Sequence, residues 1–140
     1  MEPTNFNKER WHYCHIFTAL TSDEAIKQGL IAKDKEQRII FLFMEIWEEP
    51  MVQKWLCKSR TSEFNEKHLL QIIGFLHQKM QFCPRVTKSM IARFLLDDGC
   101  LDEVKSYNSI AAYLSRDLVP DLKKRIFGIL YAETPKSMLF

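Results

Sequence analysis

An all-α fold is predicted by three features of the sequence. Apolar residues recur at spacings of three and four in one segment after another, and sustained alternation of period two is missing. Only four glycines punctuate the 140 residues, so turns must come mainly from other signals. Caps and prolines fall where those apolar stripes begin and end. The length suits one domain that buries a core without metal or disulfide support. An apolar fraction of 46% and an aromatic fraction of 12% are too high for a disordered chain. We therefore expect a single helical domain over 1–133 and a tail over 134–140.

The first helix is expected over Asn7 to Leu20, with Trp11, Cys14, His15 and Thr18 on one face, widened by Ile16, Phe17 and Leu20. Thr21 or Ser22 then caps a second helix, which opens on Asp23 and Glu24 and carries Ala25, Ile26, Leu30 and Ile31. Lys35 to Glu49 is the most apolar stretch and reads as the central helix. Pro50 ends it and suits the first turn of the next, where Met51, Val52, Trp55 and Leu56 form the buried face.

Ser62 is expected to cap a helix that opens with Glu63 and Glu66, and Leu69, Ile72, Ile73, Leu76 and Met80 give it a strong amphipathic stripe. Cys83 and Pro84 break it, Thr87 restarts the chain, and Met90, Ile91, Phe94 and Leu95 make the next short face. Gly99 suits the left-handed residue that closes that helix. A short helix with Leu101, Val104 and Tyr107 follows, then one capped by Asn108 or Ser109. The last helix, after Pro120, has Leu122, Ile126, Ile129 and Leu130 on one face and Lys123, Lys124 and Arg125 largely on the other. The expectation is an irregular compact bundle of about eight or nine helices. A short armadillo- or HEAT-like stack of helical hairpins is the alternative, although no fixed-period repeat supports it.

Function is constrained mostly by exclusion. The formal charge is +2, so no global field draws in nucleic acid or an anionic membrane. The longest strongly apolar run, Ile39 to Met44, is too short to span a bilayer, and no secretory signal is evident, so an intracellular protein, cytoplasmic or nuclear, is expected. Cys14, Cys57, Cys83 and Cys100 then read as thiols in a reducing compartment.

No local catalytic motif, phosphate loop or metal-ligand spacing is present, and no cofactor is implied. His12 and His15 share a helical side that Cys14 leaves, so Cys14 reads as core and the histidines as partly exposed. Glu45, Glu48 and Glu49 read as a solvated helix end, although Glu45 and Glu49 at helical spacing could share a face.

The function expected is a non-enzymatic helical interaction or adaptor domain that holds a protein partner, such as a helix or a second copy, through a hydrophobic groove or face. Trp11, Trp47, Met51 and Trp55 are the candidate contact residues. One alternative is an enzyme whose His and Cys groups meet only in three dimensions. The other is nucleic-acid binding through Lys123, Lys124 and Arg125, joined by Lys54, Lys58 and Arg60. In the tail, Thr134 is a candidate proline-directed phosphorylation site, and Met138 to Phe140 a candidate docking motif.

Overall fold

The computed structural model describes residues 4–57, 65–98, 101 and 104–131, with side chains for all of these except 4–10 and 98. Within them the protein is all-helical and forms no strand. In chain order the helices are α1 (Thr4–Leu20), α2 (Asp23–Lys27), α3 (Glu36–Glu48), α4 (Pro50–Leu56), α5 (Glu66–Gln78), α6 (Lys88–Asp98), α7 (Tyr107–Leu114) and α8 (Pro120–Tyr131). Seven of these have seven residues or more; α2 is barely more than one turn, and a further 3-10 turn spans Lys33–Lys35.

The helix ends form where short polar side chains and prolines fall. Ser22 Oγ accepts from the Ala25 amide at 3.3 Å and opens α2. Pro50 ends α3 and begins α4, for which the Glu49 carboxylate accepts the Met51 amide at 3.0 Å. Thr87 Oγ1 accepts from the Met90 amide at 3.2 Å at the start of α6. Each of these side chains replaces a backbone partner that a first-turn amide lacks. The Ser62 cap and the Gly99 stop lie outside the described residues; the described cap of α5 is Asn65, which accepts from the His68 amide.

The centre of the fold is α5 and not α3. Every residue from Leu69 to Leu76 is buried, including Gln71 and Gly74, whereas α3 leaves Met44, Glu45 and Glu48 exposed. Leu69, Leu70, Ile72, Ile73 and Leu76 are wholly enclosed, each such side chain being worth about 1.5–3 kcal/mol relative to exposure. Gly74 explains how a helix with a polar flank is enclosed on that side as well. Its missing Cβ lets the backbone of α7 approach, and a methyl there would strike the carbonyl oxygen of Leu114.

Four expectations are corrected. On α1 the buried face is Tyr13, Ile16, Phe17 and Leu20, and Trp11, Cys14, His15 and Thr18 face outward, so Cys14 is not core. The second helix stops at Lys27, where Gly29 turns the chain at φ +83°; Leu30 and Ile31 are buried beyond the helix. Met80 ends the α5 stripe outside the core: it takes a left-handed φ of 62° and is 69% exposed. Leu101 and Val104 are not helical, because Val104 gives its amide to the Glu66 carboxylate at 3.1 Å and Ser106 caps α7 two residues before Asn108.

Two substitutions test this packing. Gly74→Ala is expected to lower unfolding free energy by about 1–3 kcal/mol, the range for overpacking a close contact, read as a lower urea midpoint. Met80→Gly should raise the unfolding free energy by at most about 1 kcal/mol, and the urea midpoint with it, since relief of the left-handed cost is partly offset by greater unfolded-state freedom.

Candidate functional site

The outward turn of α1 and the exposure of α3 are connected: the two helices do not close over each other but leave a groove. Its floor is aromatic. Tyr13 and Phe17 of α1 meet Phe43 and Trp47 of α3, with ring centroids 3.5 Å apart for Phe17 and Phe43 and 4.8 Å for Tyr13 and Trp47. Spacing of four residues puts each pair on one face of its helix, and the rings interlock in tilted and stacked geometries. The Tyr13 hydroxyl donates to the Phe43 carbonyl at 2.6 Å and fixes the seam.

Above this floor lies an open, mainly apolar cavity of about 550 Å³. That volume falls in the range of ligand pockets. Cys14 and Thr18 form one edge and Ile40 and Met44 the other, and the cavity ends at the Thr21–Asp23 corner. Met44 is 58% exposed on the lip. The Thr21 and Ser22 hydroxyls already donate to the Phe17 and Ala19 carbonyls, so these side chains bring oxygen and methyl surface more than open donors.

Trp11 and Trp47 relate to this groove in different ways. Trp47 is 3% exposed and belongs to the floor. Trp11 is 65% exposed, stacked on His15 at 4.7 Å, and stands one turn before Cys14 on the same side of α1. Met51 and Trp55 are elsewhere: both pack half-buried against the core from α4, with Trp55 lying flat on His68. The four candidates therefore do not form one surface. Tyr13 was not picked out from sequence, although its signal was present: 13, 16, 17 and 20 follow the i, i+3, i+4, i+7 pattern.

The histidines serve structure where they are buried. His12 Nε2 lies 2.7 Å from Glu66 Oε2 and ties α1 to the start of α5. Glu66 is 1% exposed and also receives the Val104 amide through Oε1. This is a histidine and a carboxylate within hydrogen-bond reach, but neither residue lines the groove. His68 and His77 hold the carbonyls of Trp55 and Val86. Among the described residues no three His, Cys, Asp or Glu side chains are placed to hold one metal ion. Cys14 and Cys83 are free thiols.

Of the basic residues on α8, Lys123 pairs with Asp117 at 2.7 Å and Arg125 reaches Glu49 at 3.8 Å. Glu49 therefore caps α4 and meets α8. Its extended backbone takes it off the helical path on which Glu45 and Glu49 would share a face. Lys58, Arg60, Cys100, Thr134, Met138 and Phe140 lie outside the described residues. No helix among those described is long and apolar enough to cross a membrane. Compared with protein-family models, curated proteins and solved structures, the chain matches none.

Burial pushes the Tyr13 phenol well above its usual value of 10.0, with the nearby Cys14 adding in the same direction. A raised pKa means that the native state keeps a proton the unfolded state releases, so stability falls as pH rises past the unfolded value near 10. Urea unfolding between pH 8 and 11 should show this loss in the wild type. Tyr13→Phe should be less stable at pH 8, by about 0.5–1.5 kcal/mol for the lost hydrogen bond, and should show a shallower decline above pH 10.

Proposed function

We propose that this irregular helical bundle is a non-enzymatic protein-interaction domain that holds a partner protein in the groove between α1 and α3. The observation that carries the reading is an open cavity with an aromatic floor and an apolar lip at Met44, extended along α1 by an outward Trp11. Large apolar side chains held outward beside a concave surface are costly to leave in water, and they are the side chains that dominate binding hot spots. The enclosure of α5 on every side favours a bundle over a stack of hairpins, in which each helix pair would meet only its neighbours.

Nucleic acid through α8 has less support, since two of its three clustered cations already face carboxylates. Phosphate binding would have to compete with those pairs. An enzyme built on His12 and Glu66 would need substrate to reach a carboxylate that is almost wholly enclosed. No specific observation favours either over the groove.

The test is site-specific photo-crosslinking in cells that express the protein. A crosslinker at Met44 should trap a protein partner, one at the exposed Phe127 on α8 should not, and Thr18→Trp, which sets a bulky ring in the groove without changing charge, should abolish the adduct. With the partner in hand, Thr18→Trp and Met44→Ser should each weaken binding at least about ten-fold, or about 1.4 kcal/mol. Both sites are exposed, so unfolding free energy should stay within about 0.5 kcal/mol of wild type. No adduct at Met44, or one indifferent to Thr18→Trp, rejects the reading; an adduct of twice the chain mass identifies a second copy as the occupant.

A further inference from the structure

We infer that the segment held in the α1–α3 groove is an amphipathic helix whose flanking polar residues are basic. The inference rests on the groove being a docking site, and adds which kind of segment it takes. Two features carry it, the absence of a strand edge and the sign of the charge on the rim.

Both walls are helices, whose main-chain groups are bonded within the helix itself. An extended segment laid between them would find no strand edge to pair with; its amides could reach only hydroxyls and the rim carboxylates, and its carbonyls would meet few donors, because Thr21 and Ser22 already donate inward. Such unpaired peptide groups are rarely tolerated. A helix arrives with these groups satisfied and presents only side chains, typically at i, i+3 or i+4 and i+7. The aromatic floor suits that stripe.

Three charged side chains border the groove among the described residues, Asp23, Glu36 and Glu48, and all are carboxylates. Lys33 approaches Glu36 at 3.7 Å from a largely exposed position. Asp23 and Glu48 form no ion pair among the described residues. The whole chain carries +2, so the groove reverses the sign of the molecule locally. Such a rim favours lysine and arginine beside the apolar stripe and repels acidic segments, nucleic acid and anionic lipid.

The experiment is selection from a phage-displayed library of helical peptides of about four turns on the full chain, with counter-selection on Thr18→Trp. Enriched peptides that depend on the open groove should carry a net positive charge around an apolar stripe. By fluorescence anisotropy their Kd should rise at least about ten-fold for the double variant Asp23→Lys with Glu48→Lys. It should also rise as salt is taken from 20 to about 150 mM, where screening shortens to roughly 8 Å. Both positions are exposed, and an unchanged urea midpoint confirms the fold.

Groove-dependent peptides that are neutral or acidic, or a Kd indifferent to charge reversal, overturn the basic-helix inference and leave the groove as a docking site. No groove-dependent peptide from the library overturns the helix inference, and Met44 crosslinking then decides separately whether the groove holds any protein. Binding of the chain to phosphatidylserine vesicles that Thr18→Trp abolishes would replace a peptide occupant with a membrane.

Discussion

Close contact between two backbones at Gly74 sets the arrangement of the other helices. With no side chain at that position α7 packs directly on α5, and α6 in turn packs on α7. The near side of α5 is thereby closed by main chain, and its remaining faces take α4 and, through Glu66, the α1 histidine and the Val104 amide. Glu66 extends the same logic to charge. A carboxylate at 1% exposure is tolerable only when its oxygens are occupied, and here each receives a partner from a different part of the chain. The two residues, one without a side chain and one with a buried charge, locate α5 from both ends.

An enclosed α5 determines what is left at the periphery. Away from α5, α1 and α3 meet each other along one aromatic seam. Tyr13 and Phe17 against Phe43 and Trp47 form that seam, and the hydroxyl of Tyr13 pins it to a carbonyl of α3. Beyond the seam the two helices leave an open cavity that ends at the α2 corner. The groove is thus a consequence of packing. Its floor is accordingly buried while its lip, at Met44, is solvated.

Much of this was legible in the sequence. Helical class, the double role of Pro50, the Ser22 cap and the strong stripe of α5 followed from periodicity and from which side chains can satisfy a first-turn amide. What failed did so for identifiable reasons. On α1 the face centred on Trp11, Cys14, His15 and Thr18 and the stripe of Tyr13, Ile16, Phe17 and Leu20 lie side by side and both carry apolar residues, and the second, which is apolar at every position, is the buried one. The central role went to α3 because it is the more apolar helix, but enclosure depends on neighbours, and Gly74 attracts one at a position that hydropathy scores as weak. The helix expected around Val104 gave way to a long-range bond from its amide to Glu66, which no local pattern contains.

The site was less legible than the fold, and charge shows why. Composition averages over the whole surface, so a net value near neutrality excludes a global field and hides a local one. Asp23, Glu36 and Glu48 stand 13 and 12 positions apart in the sequence, with Lys27, Lys33, Lys35 and Arg38 between them, so no local run of acidic residues marks a patch. Only the placement of the α2 corner beside α3 gathers the three carboxylates on one rim, where Lys33 pairs with Glu36. A groove whose floor comes from aromatic periodicity and whose rim comes from tertiary placement is half-visible by construction. The apolar half belongs to local pattern, and the charged half, which decides between possible occupants, exists only after the helices have packed.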